Sequence, residues 1–165
     1  LITERVMEIL QDEAKFLSVN CQTNSSNYGL NVITKYQKAD VFALDQKELK
    51  LAYPSYNISE EEALQKLCSH LGGKGWLTRG ALGAYGIEGG RVYECPAFVL
   101  QVKDTIGAGD AFYAVAVLFA AVGATAEETV FVGNIAGALA ANIVGNRESI
   151  EKVNFLKYAS TLLNI

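Results

Sequence analysis

The sequence predicts an α/β fold, a layered sheet flanked by helices. Short apolar runs recur along the chain, segments with apolar residues at helical spacing lie between them, and glycines or capping residues mark the joins. The chain has 165 residues, half of them apolar, enough for one domain whose core needs neither disulfides nor metal. A single domain over 1–165 is therefore expected, with no repeat, low-complexity tract or linker to divide it.

The elements follow in order. Ile2, Val6, Ile9 and Leu10 stand at helical spacing within residues 2–14, without an obvious start signal. A chain that opens at Leu1 directly on this pattern reads as a piece of a longer one. Phe16-Leu17-Ser18-Val19, bounded by Asn20 and Gln22, predicts a buried strand. Asn24-Ser25-Ser26-Asn27 reads as a loop, Leu30 to Tyr36 as a helix, and Val41 to Leu44 as a second strand. Asp45 opens a helical stretch that Pro54 interrupts, and Ser59 with Glu62 forms a capping box for a helix to about Leu71. Gly72, Gly73 and Gly75 end it, and His70 in its last turn suits a C-terminal capping role better than a catalytic one.

Gly75 to Thr78 predicts a third strand, Ala84–Ile87 and Arg91–Glu94 flank the turn Glu88-Gly89-Gly90 as a hairpin, and Phe98 to Val102 predicts a further strand. Three helices complete the chain. One runs from Gly109 to about Val122, one capped by Thr125 and Glu128 runs to about Val144, and one capped by Ser149 runs to about Leu163. The apolar run from Ala111 to Val122 is too short to cross a bilayer and reads as a buried helix.

Net charge is -4, from 14 Lys+Arg against 18 Asp+Glu, and the basic residues are scattered, which argues against a nucleic-acid groove. A small anionic ligand held by local groups remains compatible. Cys21, Cys68 and Cys95 lie far apart, with His70 the one histidine, so structural zinc is not expected. Three cysteines cannot all pair within one chain, and no signal peptide opens the sequence; a reducing cytoplasm is expected.

The segment Asp104-Thr105-Ile106-Gly107-Ala108-Gly109-Asp110 joins a strand exit to an apolar helix. Small residues at 107–109 let the backbone approach a ligand. Unpaired N–H groups and the dipole at a helix N-terminus favour a phosphate there. A carboxylate at 110 facing that anion is disfavoured unless it has a task, such as accepting a proton from an attacking hydroxyl. A tight turn with an Asp that merely complements the helix dipole would show the same pattern, and on physics alone both readings stand. Neither a P-loop pattern, GxxxxGK(S/T), nor GxSxG occurs, which disfavours P-loop enzymes and the commonest hydrolases.

The segment resembles a signature of the ribokinase-like (PfkB) sugar kinases, D-T-x-G-A-G-D, and matches it completely. The resemblance, which extends from about Phe16 onward, implies a ribokinase-like fold of which this chain is the C-terminal, nucleotide-binding portion. It implies ATP-dependent phosphoryl transfer to a sugar hydroxyl. Gly107, Ala108 and Gly109 would form the anion hole, with Asp110 as the catalytic base. Thr78-Arg79-Gly80-Ala81-Leu82-Gly83 resembles the family's T-x-G-x-x-G turn, so Thr78, Gly80 and Gly83 would lie along the nucleotide. Asn134, Gly137 and Ala138 resemble the adenine-side wall, though Gly and Ala there equally permit close helix packing.

Asp45-Gln46-Lys47-Glu48 occupies the place of the family's N-x-x-E motif, which organises magnesium through water. Asp45 replaces its asparagine, and the two carboxylates at i, i+3 share one helical face, where an N-cap and solvated first turn are the commoner reading. Asp104, with the loop from Gly145 to Ser149, resembles a monovalent-cation site, potassium in many of these kinases; a strand-end Asp and an N-cap Ser149 are the plainer reading. The polar strand exit from Asn20 to Asn24 can face the nucleotide but departs from the family pattern. ATP, Mg2+ and a monovalent cation are the cofactors implied, a sugar is the partner, and the family's lid-mediated homodimer is a further expectation. The sugar-binding half and lid of such kinases are not contained in these residues. Two alternatives stay open: a non-catalytic ATP/ADP-sensing domain of a multidomain protein, which Asp45 favours, and a kinase of a nucleoside or vitamin precursor.

Overall fold

The computed structural model describes residues 2–23, 26, 28–55, 57–98, 102–144 and 147–164. In chain order the elements are α1 (Glu4–Glu13), β1 (Ser18–Asn20), β2 (Val41–Asp45), α2 (Gln46–Ala52), α3 (Glu60–Leu71), β3 (Lys74–Thr78), β4 (Ala84–Glu88), β5 (Arg91–Cys95), α4 (Ala108–Ala121), α5 (Ala126–Ala140) and α6 (Lys152–Leu163). The strands form one mixed sheet in the order β1-β2-β3-β4-β5. β1, β2 and β3 are parallel, and β4 and β5 add antiparallel.

Side chains alternate across a strand, so β2, β3 and β4 each feed two cores. Phe42, Leu44, Leu77, Tyr85 and Ile87 pack on one face with Leu49 of α2 and Leu64 and Leu67 of α3. Val41, Ala43, Trp76 and Ala84 pack on the other with Phe112, Ala116 and Ala120 of α4 and Val130 of α5. Burial on both faces explains why β2 reads as an unbroken apolar run. The indole N–H of Trp76 would be costly to bury alone. It donates to Thr129 Oγ1 at 2.9 Å, and its ring meets Phe112 edge-on at 6.3 Å.

The parallel arrangement sends the C-terminal ends of β1, β2 and β3 to one edge of the sheet, where α/β folds place their ligands. The register sets Asp45 opposite Thr78 and Thr78 opposite Ala84. α4 and α5 pack closely because Gly133 faces the Phe112 ring, where a Cβ would come within 2.7 Å of it.

Several sequence expectations are corrected. Leu30 to Tyr36 does not form a helix; only a single 3-10 turn, Ile33–Lys35, appears. The β-branched Val32, Ile33 and Thr34 crowd a helical backbone, and Ile33 and Tyr36 are drawn into the core instead. His70 does not cap α3. Its Nε2 lies 2.8 Å from the Tyr36 carbonyl and 3.2 Å from that of Thr34, so it docks this segment onto the helix.

The first helix does have a start signal, Thr3, whose Oγ1 accepts the Val6 N–H at 3.4 Å. α5 stops at Ala140, short of Val144, where Asn142 Nδ2 reaches back to the Ala138 carbonyl. Ser149 does not cap α6: Glu151 stands at the N-cap, and Ser149 lies two residues too early. α4 is buried along one stripe only, with Leu118 68% and Val122 84% exposed. Phe98 and Val102 are not in a strand, and 99–101 lie outside the described residues, as do Asn24, Ser25 and Asn27 of the loop. Among the described residues no helix is long and apolar enough to cross a membrane, and all three cysteines are free and buried.

Candidate functional site

The corner at 104–110 is held by its own backbone. Asp104 Oδ1 accepts the Ile106 N–H at 3.0 Å, and the N–H groups of Lys103 and Asp104 both reach the Ala141 carbonyl at the end of α5. Gly107 is the N-cap of α4 at φ 81°, ψ -4°, a left-handed conformation in which a Cβ is strained. Ala108 N–H bonds the Thr105 carbonyl and Ala111 N–H bonds that of Gly107. Among the described residues no backbone acceptor takes the N–H groups of Gly109 and Asp110. Asp110 is exposed and joins none of the ion pairs among the described residues.

In front of these amides lies a cavity of about 560 Å³, lined by Asp110, Gly107 and Gly109 from the corner, Asp45 and Glu48 from β2 and α2, Thr78 from β3, and Asn20 and Gln22 from the exit of β1. Asp45 and Glu48 form a reciprocal capping box. Asp45 Oδ1 accepts the Glu48 N–H at 2.8 Å, and Glu48 Oε2 accepts the Asp45 N–H at 2.9 Å. Glu48 Oε1 also accepts the Thr23 N–H at 3.2 Å. Burial pushes the Glu48 carboxyl above its ordinary range, and the neighbouring Asp45 charge adds to this, against the two backbone hydrogen bonds.

A second cavity of about 320 Å³ opens behind the corner, lined by Thr78, Gly80, Gly83, Asn134, Gly137 and Ala138 among others. Thr78, Gly109 and Phe112 line both cavities, so the two are the ends of one cleft that passes the first turn of α4. Gly83 is required by contact as well as by φ 93°, since a Cβ would fall 2.1 Å from the Cys95 carbonyl oxygen. Arg79 secures this turn from behind, bonded to Glu60 and Glu94 and stacked 4.0 Å from the Tyr85 ring centroid.

Asn134 is buried, and its Nδ2 donates to the carbonyls of Cys95 and Pro96, tying the exit of β5 to α5. Gly137 both lines the cleft and packs on α4, where a Cβ would stand 3.3 Å from the Ala108 carbonyl oxygen.

The structure thus gathers Asp110, Gly107, Ala108, Gly109, Thr78, Gly80, Gly83, Asn134, Gly137, Ala138, Asp45 and Glu48 around one cleft. Asp104 braces the corner, Ser149 is exposed, and Gly145 and Asn146 lie outside the described residues. Among the described residues no group of three or more His, Cys, Asp or Glu side chains converges as a metal cage. Tyr113, which lines the larger cavity, escaped the sequence reading, as did its partner Ser18, whose Oγ lies 2.6 Å from the Tyr113 hydroxyl. The available signal was the i, i+3 spacing of Asp110 and Tyr113, which places both on one helix face.

Solved structures share this fold. Phosphofructokinase-2 from Escherichia coli, in complex with potassium, superposes with a TM-score of 0.79 at 19% identity, over 96% of this chain and 51% of its own. Ribokinase from Thermotoga maritima gives 0.76 at 18% identity, over 97% and 54%. Adenosine kinase from Sinorhizobium meliloti gives 0.75 at 20%, over 96% and 48%. The chain therefore spans about half the length of the structures it matches. A family model described as pfkB family carbohydrate kinase matches residues 2–153, and the complete D-T-I-G-A-G-D corner stands in the fold of such kinases: the chain belongs to the pfkB family of carbohydrate kinases.

Proposed function

We propose that this chain supplies the nucleotide-binding and phosphoryl-transfer part of an ATP-dependent kinase acting on a sugar or sugar-like hydroxyl. One observation carries the reading: the amides of Gly109 and Asp110, which no backbone acceptor takes among the described residues, and the Asp110 carboxylate, which joins no ion pair among them, lie along the same cleft. A helix N-terminus stabilises the charge of a transferring phosphoryl group, and such transfer depends mainly on positioning and electrostatics.

In this reading the adenine end of ATP occupies the smaller cavity against Gly137 and Ala138, and the phosphates run past Gly107 to Gly109. Asp110 accepts the proton of the acceptor hydroxyl as its oxygen bonds the γ-phosphorus, and the bond from that phosphorus to the ADP oxygen breaks.

Asp45 and Glu48 fit magnesium as water-mediated partners. Their donor set is all oxygen, each carboxylate keeps lone pairs beyond its capping bond, and magnesium usually takes one or two carboxylates plus phosphates rather than a protein cage. The ion would neutralise charge on the phosphate oxygens. Asp104 and Ser149 are the described residues proposed near a monovalent cation. The Asp45 capping bond is one that asparagine makes equally well, so the substitution by itself does not favour a sensor over a kinase.

The test is Asp110→Asn in the full-length protein, with sugars, nucleosides and vitamin-like alcohols screened as acceptors by ADP release. Turnover is expected to fall by about 10²–10⁴-fold with ATP affinity retained. Near-normal turnover would refute the base assignment.

A further inference from the structure

We propose that Tyr113 is a positioning residue for Asp110, its hydroxyl bond to Ser18 fixing the first turn of α4 against the β1 side of the cleft. This rests on the kinase reading above. β1 has three residues, and among the described residues its sheet partner is β2. Ser18 and Asn20 share one face of β1, since alternate residues of a strand point the same way. Asn20 lines the cavity that Asp110 faces. Tyr113 lies one helical turn past Asp110 on the same face, and long side chains on a helix lean back toward its N-terminus.

The Ser18–Tyr113 bond therefore sits one residue pair below Asn20 on the strand and one turn below Asp110 on the helix, bracing both walls of the cavity. The adjacent Phe112 is buried in the core against Trp76 and Gly133. Two neighbouring side chains thus set the rotation of α4: Phe112 fixes it toward the sheet and Tyr113 toward β1. Burial raises the Tyr113 phenol above its ordinary value, outweighing the Ser18 hydrogen bond, so it stays protonated through the neutral range.

The experiment compares Tyr113→Phe, Ser18→Ala and the double variant in the full-length protein, with Asp110→Asn alongside. Each single change removes the same bond while keeping most of the packing. Each is expected to lower kcat by up to about tenfold, the worth of one partly buried hydrogen bond. KM for ATP should stay unchanged, and the double variant should be no slower than the worse single one, because the two losses are one interaction. Wild-type kcat in both single variants would overturn the proposal, as would losses that multiply in the double variant or that appear in KM for ATP instead. If Asp110→Asn is inactive while Tyr113→Phe and Ser18→Ala turn over normally, the base assignment stands and this proposal alone falls. A wild-type protein without acceptor-dependent ADP release would overturn both.

Discussion

At the residue scale the corner contains two glycines that do different work. Gly107 sits at φ 81°, so alanine there is strained by roughly 1–2 kcal/mol and rotates the amides that follow it. Gly109 has an ordinary backbone, and a Cβ on it meets nothing within 4 Å, so alanine there leaves the fold intact and intrudes only on the cleft. Gly107→Ala is therefore expected to lower the melting temperature along with turnover. Gly109→Ala should leave melting unchanged and still weaken ATP binding or turnover. Thermal unfolding paired with steady-state kinetics separates them; equal melting losses would show that both glycines serve the backbone. This corner was legible in the sequence because its parts are contiguous. The bond between Ser18 and Tyr113 was not: its partners are 95 positions apart, and each alone is an ordinary strand or helix residue.

At the element scale the most informative junction joins the end of β4 to the start of α5. Glu88 Oε2 accepts the Ala126 N–H at 2.8 Å, and its Oε1 lies 3.1 Å from Lys74 Nζ, which also donates to the Ala124 carbonyl. Burial pulls the Glu88 carboxyl up, but the Ala126 amide and the Lys74 ammonium outweigh it and hold the group below its ordinary value. A carboxylate lowered by folding contributes stability above its unfolded pKa of about 4.3, and that contribution is lost as pH falls through the folded value. The gap in unfolding free energy between wild type and Glu88→Gln should thus be full near neutrality and shrink below about pH 4.3. A constant gap across acid titration would count against this linkage. Capping boxes at Asp45, Ser59 and Thr125 were legible because each partner lies three residues away. Leu30 to Tyr36 misled because Ile33 and Tyr36 owe their places to tertiary burial, which overrides a weak local pattern.

At the scale of the whole molecule, the alternation of strands and helices revealed the layered α/β class. The turn at 88–90 also marked β4 and β5 as a hairpin, but the sequence did not show that β4 runs antiparallel to β3, or that the strands divide the buried residues into two cores. That arrangement makes stability uneven. β2, β3 and β4 carry residues of both cores and have a strand on each side, so their amides open only when both helical layers are disrupted. α1 and α6 contain no buried residue; α1 is held by the two backbone amides that Gln11 accepts and by Met7, and α6 is tied through Tyr158 to the Phe98 carbonyl. Hydrogen exchange of the 165-residue chain should therefore protect 41–45, 74–78 and 84–88 longest and release α1 and α6 first, since local opening follows buried apolar contact. The first turn of α4 is the deciding segment. Phe112 anchors it in the core while Gly109 and Asp110 face the cleft, so its exchange should be intermediate and should slow when ATP and magnesium are added. Slowing confined to α1 or α6 would mean that the nucleotide engages a surface other than this corner.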